Sequence, residues 1–218
     1  MTPAPGGPAG QIVVIDSAFA SLVTRVGPPE ARVAIAPDRR FASLVTSIVS
    51  QLISVKAADV IADRVRVACG GTIEVGSVLG VPLEALRSAG LTRTKAGAIN
   101  ELATLVGRGS LDLGAHDSLD DAQVTRELTA VHGIGEWTAQ VYLLTALARP
   151  DVWPVGDVGV RNGWSIVHDT VPAVSASELR IAGEPFAGIR STVAWYCWQA
   201  LRLSRGDALR GGSTAPSA

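Results

Sequence analysis

The 218-residue chain is predicted to be all-α. Three observations carry this prediction. Apolar residues recur at helical spacing through most of the interior, runs that read as strands are few, and Gly, Pro and capping residues punctuate the chain at helix-length intervals. Hydrophobic residues make up 47% and charged residues 18%, which excludes a disordered, collagen-like or low-complexity protein. A chain of this length buries roughly 70% of its unfolded surface and needs no staples to fold.

Residues 1–10 and 206–218 are rich in Pro, Gly, Ser and Ala and are expected to be disordered tails around a folded region at 11–205. Gln11–Ile15 and Arg32–Ala36 are the best strand candidates, although both also read as loop or helix. Phe41, Leu44, Val45, Ile48, Val49 and Leu52 form one wide apolar stripe. The next helix starts near Ser54 and runs to about Val67, stopped by Gly70-Gly71. Pro82–Ala89 is a short helix closed by Gly90. Thr92 caps another, with Ile99, Leu102 and Val106 on its buried face. Ser118-Leu119-Asp120-Asp121 resembles a capping box ahead of Val124, Leu128 and Val131. Trp137, Val141, Leu144 and Ala148 share one helix face. Pro150 and Pro154 bracket a loop, and helices are expected at Val158–Val167, Ser177–Ala182 and Ile189–Ser204. The total is about nine or ten helices, with no repeat period and no linker dividing the interior.

Composition also bounds function. With only Cys69 and Cys197, a disulfide framework, a four-cysteine zinc site and an iron–sulfur cluster are all excluded as expectations. His116, His132 and His168 show no metal-ligand spacing, so no metal site is expected. No stretch reaches the roughly 18 apolar residues of a membrane helix, and the N-terminus lacks the basic region of a secretory signal. The expected location is the cytoplasm, in reduced form and away from membranes. A formal charge of -1 argues against a polycation that grips nucleic acid by charge alone. Residues 1–110 carry 11 basic and 8 acidic groups, whereas 111–218 carry 8 and 12. Any docking on phosphates must therefore use local features.

One such feature is Val131-His132-Gly133-Ile134-Gly135-Glu136-Trp137-Thr138-Ala139. Two glycines around one apolar residue, between two helices, make a tight hairpin with exposed backbone N–H groups. The following helix adds its N-terminal dipole in the same direction, which suits a nucleic-acid phosphate. Ile134 would anchor the turn in the core, while Thr138 and Ala139 permit close helix approach. A plain αα-turn with a glycine C-cap reads equally well from Gly-x-Gly alone.

His132-Gly133-Ile134-Gly135-Glu136-Trp137-Thr138-Ala139 closely resembles the hairpin of the helix-hairpin-helix DNA glycosylase superfamily. Val152-Trp153-Pro154-Val155-Gly156-Asp157-Val158-Gly159-Val160-Arg161 resembles its aspartate loop. Ser50-Gln51-Leu52-Ile53-Ser54-Val55-Lys56 and Gly90-Leu91-Thr92-Arg93-Thr94-Lys95-Ala96 resemble its upstream elements, and Arg190–Trp198 its last helix. Within the superfamily the chain is most similar to the 3-methyladenine DNA glycosylase II branch. The resemblance spans about Phe41 to Leu203 and implies two interleaved helical subdomains flanking an active-site cleft. Only about 40 residues precede the first match, so the extra N-terminal α/β domain of the branch's best-known members is expected to be absent.

The activity implied is hydrolysis of the N-glycosidic bond of alkylated bases in double-stranded DNA, after base flipping, within base excision repair. Asp157 is the implied catalytic carboxylate, stabilising a sugar with oxocarbenium character and orienting water. Its position also fits a helix cap, and the two roles coexist. A cationic alkylated base leaves without a general acid, and an aromatic pocket favours it by stacking and cation–π attraction. Trp137 and Trp198 are the pocket residues by motif, with Trp153 close to Asp157. Val141 stands where well-known relatives carry tyrosine, which implies a more open pocket. Trp164 and Trp195 read equally as core. Leu52 matches the family's wedge that fills the gap left by the flipped base, while periodicity alone makes it the end of a buried stripe. Gln51, beside it, is placed against the opposite strand or the widowed base.

Lyase members place a Schiff-base lysine where Trp137 stands. Of the 19 cations only Lys56 and Lys95 are lysines, so a monofunctional enzyme is expected. Hairpin amides, with Lys56, Arg93, Lys95 and Arg161, would then carry phosphate binding. No cofactor is required, although the family implies a monovalent cation at the hairpin. The expected form is a monomer. Two other readings stay open, a non-catalytic helix-hairpin-helix protein for damaged DNA and a glycosylase for other lesions.

Overall fold

The structure is a computed structural model that describes residues 7–206. Twelve α-helices and three short 3-10 turns make up its regular structure, and no strand occurs among the described residues. None of these helices is long and apolar enough to cross a membrane. Two compact units are present. Of the described residues, 7–33 and 148–206 form one unit and Ala34–Leu147 form the other.

The first unit opens with α1 (Pro8–Ile15), with Pro8 at the first helical position, where its missing N–H costs nothing. The expected tail at 8–10 and the expected strand at Gln11–Ile15 are therefore one helix that buries Ala9 and Ile12. A short continuous apolar run does not distinguish a strand from a buried helix. The rest of the expected tails, residues 1–6 and 207–218, lies outside the described residues. A 3-10 turn at Ser17–Phe19, capped by the Asp16 side chain, leads into α2 (Ala20–Val26).

Arg32–Ala36 is not a strand but irregular chain. Arg32 donates to the Ser191 carbonyl at 2.8 Å, and burial pushes its guanidinium down to about 10.

The same unit resumes with α10 (Val158–Val167), α11 (Ala176–Ala182) and α12 (Arg190–Ser204). Helix α12 is buried around almost its whole circumference, the mark of a central core helix. Helix α10 crosses it closely because Gly163 has no side chain, and a Cβ there would overlap the Cys197 backbone. Phe19, Trp164 and Phe186 meet edge-to-face beside them, and His168 stacks on Trp164 with its ring centroid 4.2 Å away.

The second unit contains α3 (Pro37–Ser50), α4 (Val55–Ala68), α5 (Val75–Leu79), α6 (Leu83–Ser88), α7 (Arg93–Gly107), α8 (Asp121–Thr129) and α9 (Glu136–Thr145). Thr92 caps α7 through its side chain, as expected, and Ser54, at the expected start of α4, caps that helix likewise. The capping box before α8 lies two residues further on, at Asp120 and Gln123 rather than Ser118 and Asp121. Helix α9 ends before Ala148, which takes a left-handed backbone with φ of 53°. Helices α3, α5 and α6 pack on α7, and α3 also packs on α9.

A buried polar network ties this unit together. Arg40 is 1% exposed and donates to the Ile35 and Leu113 carbonyls and to Asp117. A buried guanidinium persists only with such pairing. His116 lies between the Tyr142 hydroxyl, 3.0 Å from Nδ1, and Glu127, 3.1 Å from Nε2.

Candidate functional site

The hairpin lies between α8 and α9 in the second unit. Val131 and Ile134 are buried and bonded to each other, Ile134 N–H donating to the Val131 carbonyl at 3.0 Å. Ile134 thus anchors the turn, as its apolar side chain implies. Gly133 takes φ of 88°, and a Cβ there would sit 2.9 Å from the Ala98 Cβ on α7. The position therefore requires glycine for both its backbone and its packing. Gly135 is the N-cap of α9, and no side chain caps the helix there. The first-turn amides and the positive end of the dipole face outward from that point. Glu136 on the same turn accepts from Gln140 at 3.1 Å, which draws its carboxylate along the helix.

The segment after α3 meets this hairpin. Gln51 Nε2 donates to the Gly133 carbonyl at 3.1 Å and to Thr138 Oγ1 at 2.9 Å. Gln51 thereby braces the hairpin through its amide nitrogen, where the expectation was a contact with the opposite strand or the widowed base. Thr138 is buried and uses its hydroxyl in the same contact. Leu52 follows with φ of 57° and is 92% exposed. The reading of Leu52 as the end of a buried stripe is overturned, because α3 stops at Ser50 and the chain reverses.

Lys95 also departs from its expected place at phosphates. Its ammonium donates to the Val49 carbonyl at 2.7 Å and the Gln51 carbonyl at 2.6 Å. Burial lowers its pKa from the ordinary lysine value. It neutralises the C-terminal end of α3 instead of facing phosphates. Lys56 and Arg93 are exposed on the first turns of α4 and α7. Trp137 is partly exposed on the first turn of α9, while Val141 lies buried further along it.

The aspartate lies in the first unit. Asp157 is the N-cap of α10, its Oδ1 accepting from Val160 N–H at 2.6 Å and from the Trp198 indole N–H at 3.1 Å. The residue is 0% exposed. Gly159 leaves room for this arrangement, since a Cβ there would lie 3.0 Å from Asp157 Oδ1 and 3.3 Å from Trp198 Cδ1. Cys197, next to Trp198, is wholly buried, and burial with the nearby Asp157 charge pushes its thiol far up. It is an inert structural thiol.

Trp153 is not a pocket wall in its surroundings. Its indole donates to the Leu179 carbonyl at 2.8 Å and packs edge-on against Trp164. Trp164 and Trp195 are core residues. Arg161 is half-buried on α10, and its Nε has no hydrogen-bond partner.

The Gln51 brace joins residues 82 and 87 positions apart and has no local signal in the sequence. Gly159 and Gly163, four apart on α10, are the sequence signal of its close approach to α12. Among the described residues no cluster of His, Cys, Asp and Glu suits a metal ion.

The sequence model of the family described as HhH-GPD superfamily base excision DNA repair protein matches residues 45–182. DNA-3-methyladenine glycosylase 1 of Schizosaccharomyces pombe is 24% identical over 193 residues, covering 87% of this chain and 85% of that one. The structure of the S. pombe 3-methyladenine DNA glycosylase in complex with abasic DNA matches with a TM-score of 0.81 at 23% identity, covering 93% and 99% of the two chains, a likeness of fold. The crystal structure of a DNA-3-methyladenine glycosidase from Bacillus halodurans matches at 31% identity with a TM-score of 0.72, covering 93% of each chain. The hairpin, the segment that braces it and the α10 cap with its aspartate all fall within the matched region, and the chain belongs to the HhH-GPD superfamily of base excision DNA repair proteins.

Proposed function

We propose that the chain is a monofunctional DNA glycosylase that hydrolyses the N-glycosidic bond of alkylated bases such as 3-methyladenine in double-stranded DNA. The observation that carries this reading is Asp157, a buried carboxylate fixed by Val160 N–H and the Trp198 indole in a chain of this family. The names of its relatives support the choice of alkylated bases.

As the glycosidic bond lengthens, positive charge grows on the sugar, and a rigid carboxylate lowers the energy of that state. The aspartate also orients the attacking water and receives its proton. The departing base carries the positive charge of its alkyl group and takes the bonding electrons without prior protonation. Trp137, partly exposed on α9, favours such a cationic base over a neutral one through its ring face, while Trp198 acts through its bond to Asp157. The hairpin amides and the α9 dipole hold a phosphate, helped by Lys56 and Arg93, and Leu52 fills the vacated stack.

The hairpin helix carries Trp137 where a Schiff-base lysine would stand, and the Lys95 amine is bonded to two carbonyls. Both support hydrolysis without strand cleavage. The family implies a monovalent cation at the hairpin; the Gly133 carbonyl receives the Gln51 amide and keeps a second lone pair, and no step uses one. As proposed, the enzyme acts as a monomer in the cytoplasm and needs no cofactor.

A second reading, damaged-DNA binding without chemistry, is favoured by one observation: Asp157 is fully buried and already serves as a cap. Chromatography of bases released from methylated, oxidised and uracil-containing DNA decides. Release of methylated purines alone supports the proposed reading, and binding with no release supports the second.

A further inference from the structure

Residue 51 is a junction of three elements in the second unit. Its backbone carbonyl, with that of Val49, receives the Lys95 ammonium from the first turn of α7. Its side-chain amide reaches the Gly133 carbonyl and Thr138 Oγ1 at the start of α9. The next residue, Leu52, is a 92% exposed leucine at φ of 57°. A non-glycine residue holds a left-handed backbone only where its surroundings over-determine it, and these four hydrogen bonds lie immediately before it. Lys95 serves no other visible purpose: the carbonyls it meets are the orphans left where α3 ends.

We propose that Lys95 and Gln51 form a latch that presets the Leu52 turn and ties it to the phosphate-gripping hairpin, so that both are positioning residues for base extrusion. The inference rests on the proposed reading of Leu52 as the wedge. An exposed apolar side chain on a free loop would sample many directions and enter the duplex rarely. On a latched turn it stands in fixed register with the hairpin, and grip and wedge act on the same lesion. Neither Lys95 nor Gln51 touches the reacting atoms in this account. Loss of Lys95 slows extrusion and leaves the grip on undamaged DNA in place, whereas loss of Gln51, which also braces the hairpin, weakens both.

The test compares the full chain with Lys95→Met, which keeps the aliphatic stem, with Lys95→Arg, and with Gln51→Met. The probe is a duplex with one N-alkylated purine beside 2-aminopurine, whose fluorescence rises when its neighbour leaves the stack. Lys95→Met and Gln51→Met are expected to slow the fluorescence rise by about tenfold or more, as small misplacements do. Lys95→Met keeps an affinity for undamaged duplex near that of the unaltered protein, Gln51→Met loses part of it with its hairpin brace, and Lys95→Arg restores most of the rate. Thermal melting identifies a variant that fails to fold, and the other variant then carries the comparison. Unchanged extrusion rates in folded variants overturn the latch, as does an equal loss of extrusion and of undamaged-duplex affinity in Lys95→Met. Base release from the same duplex by the unaltered protein tests the proposed function separately. If no base is released yet extrusion still depends on Lys95, the function fails and the latch stands.

Discussion

Trp198 and Asp157 are joined by a hydrogen bond of 3.1 Å from the indole N–H to the carboxylate Oδ1, which also receives Val160 N–H at 2.6 Å. One oxygen thus takes two donors while the residue starts α10. The bond fixes the direction of a carboxylate that would otherwise turn about its own side-chain bonds.

Trp198→Phe keeps most of the ring volume and removes the donor. A hydrogen bond to a charged group contributes about 1.5–3 kcal/mol. Base release under single turnover is expected to fall about ten- to hundredfold, with affinity for undamaged duplex unchanged. Release at the unaltered rate would mean that the indole does not position the aspartate.

Gly133→Ala tests the hairpin. The left-handed backbone costs an alanine about 1 kcal/mol, and its Cβ would meet the Ala98 Cβ at 2.9 Å. The melting temperature should drop by about 2–4 °C or more, and duplex affinity should fall with it. Gly135→Ala is the control, since a Cβ there meets nothing within 4 Å, and its melting temperature should stay close to that of the unaltered protein.

His116 predicts a pH effect on stability. Burial is the main cause that lowers its pKa in the folded chain below the ordinary 6.5, outweighing the opposing effect of Glu127. As pH falls through 6.5 the unfolded chain takes up a proton that the folded chain refuses, so stability declines on acidification. The slope for one such group is at most about 1.4 kcal/mol per pH unit. Denaturant melts between pH 7.5 and 5.5 should show this decline in the unaltered protein and a shallower one in His116→Gln. Equal slopes would remove His116 as the cause.

Abasic-site DNA treated with borohydride should trap no covalent complex with this chain, because the Lys95 amine is held by two carbonyls. A trapped species on a denaturing gel would show lyase chemistry.

Much of the fold was legible because the signals were local. The bounds of α10 follow from Asp157 as cap and from the apolar spacing after it, and the cap is what makes the aspartate rigid. Three helices carry little sequence signal for physical reasons. Helix α1 is a continuous apolar run without helical alternation, while α2 and α5 have only seven and five residues. The capping box slipped by two positions because Ser118, Asp120 and Asp121 all fit the same spacing rule.

The site was legible in its residue types more than in its contacts. Lys95 reads as phosphate-facing because most lysines are exposed, and nothing near it in sequence foretells the α3 carbonyls. Leu52 continued the helical stripe in sequence yet left the helix in space, since a turn imposed by tertiary bonds leaves no periodic trace. Trp153 sat near Asp157 in sequence but turned to the Leu179 carbonyl.

The central claim is that Asp157 acts in chemistry as well as in capping. Asparagine caps a helix about as well as aspartate, so Asp157→Asn should fold, melt within a few degrees of the unaltered protein and bind lesion-containing duplex normally. Single-turnover release of a methylated purine by that variant is the decisive measurement. A loss of about a thousandfold or more is the result expected for a carboxylate facing a growing positive charge. Release within about threefold of the unaltered protein would contradict the claim and leave Asp157 as a helix cap alone.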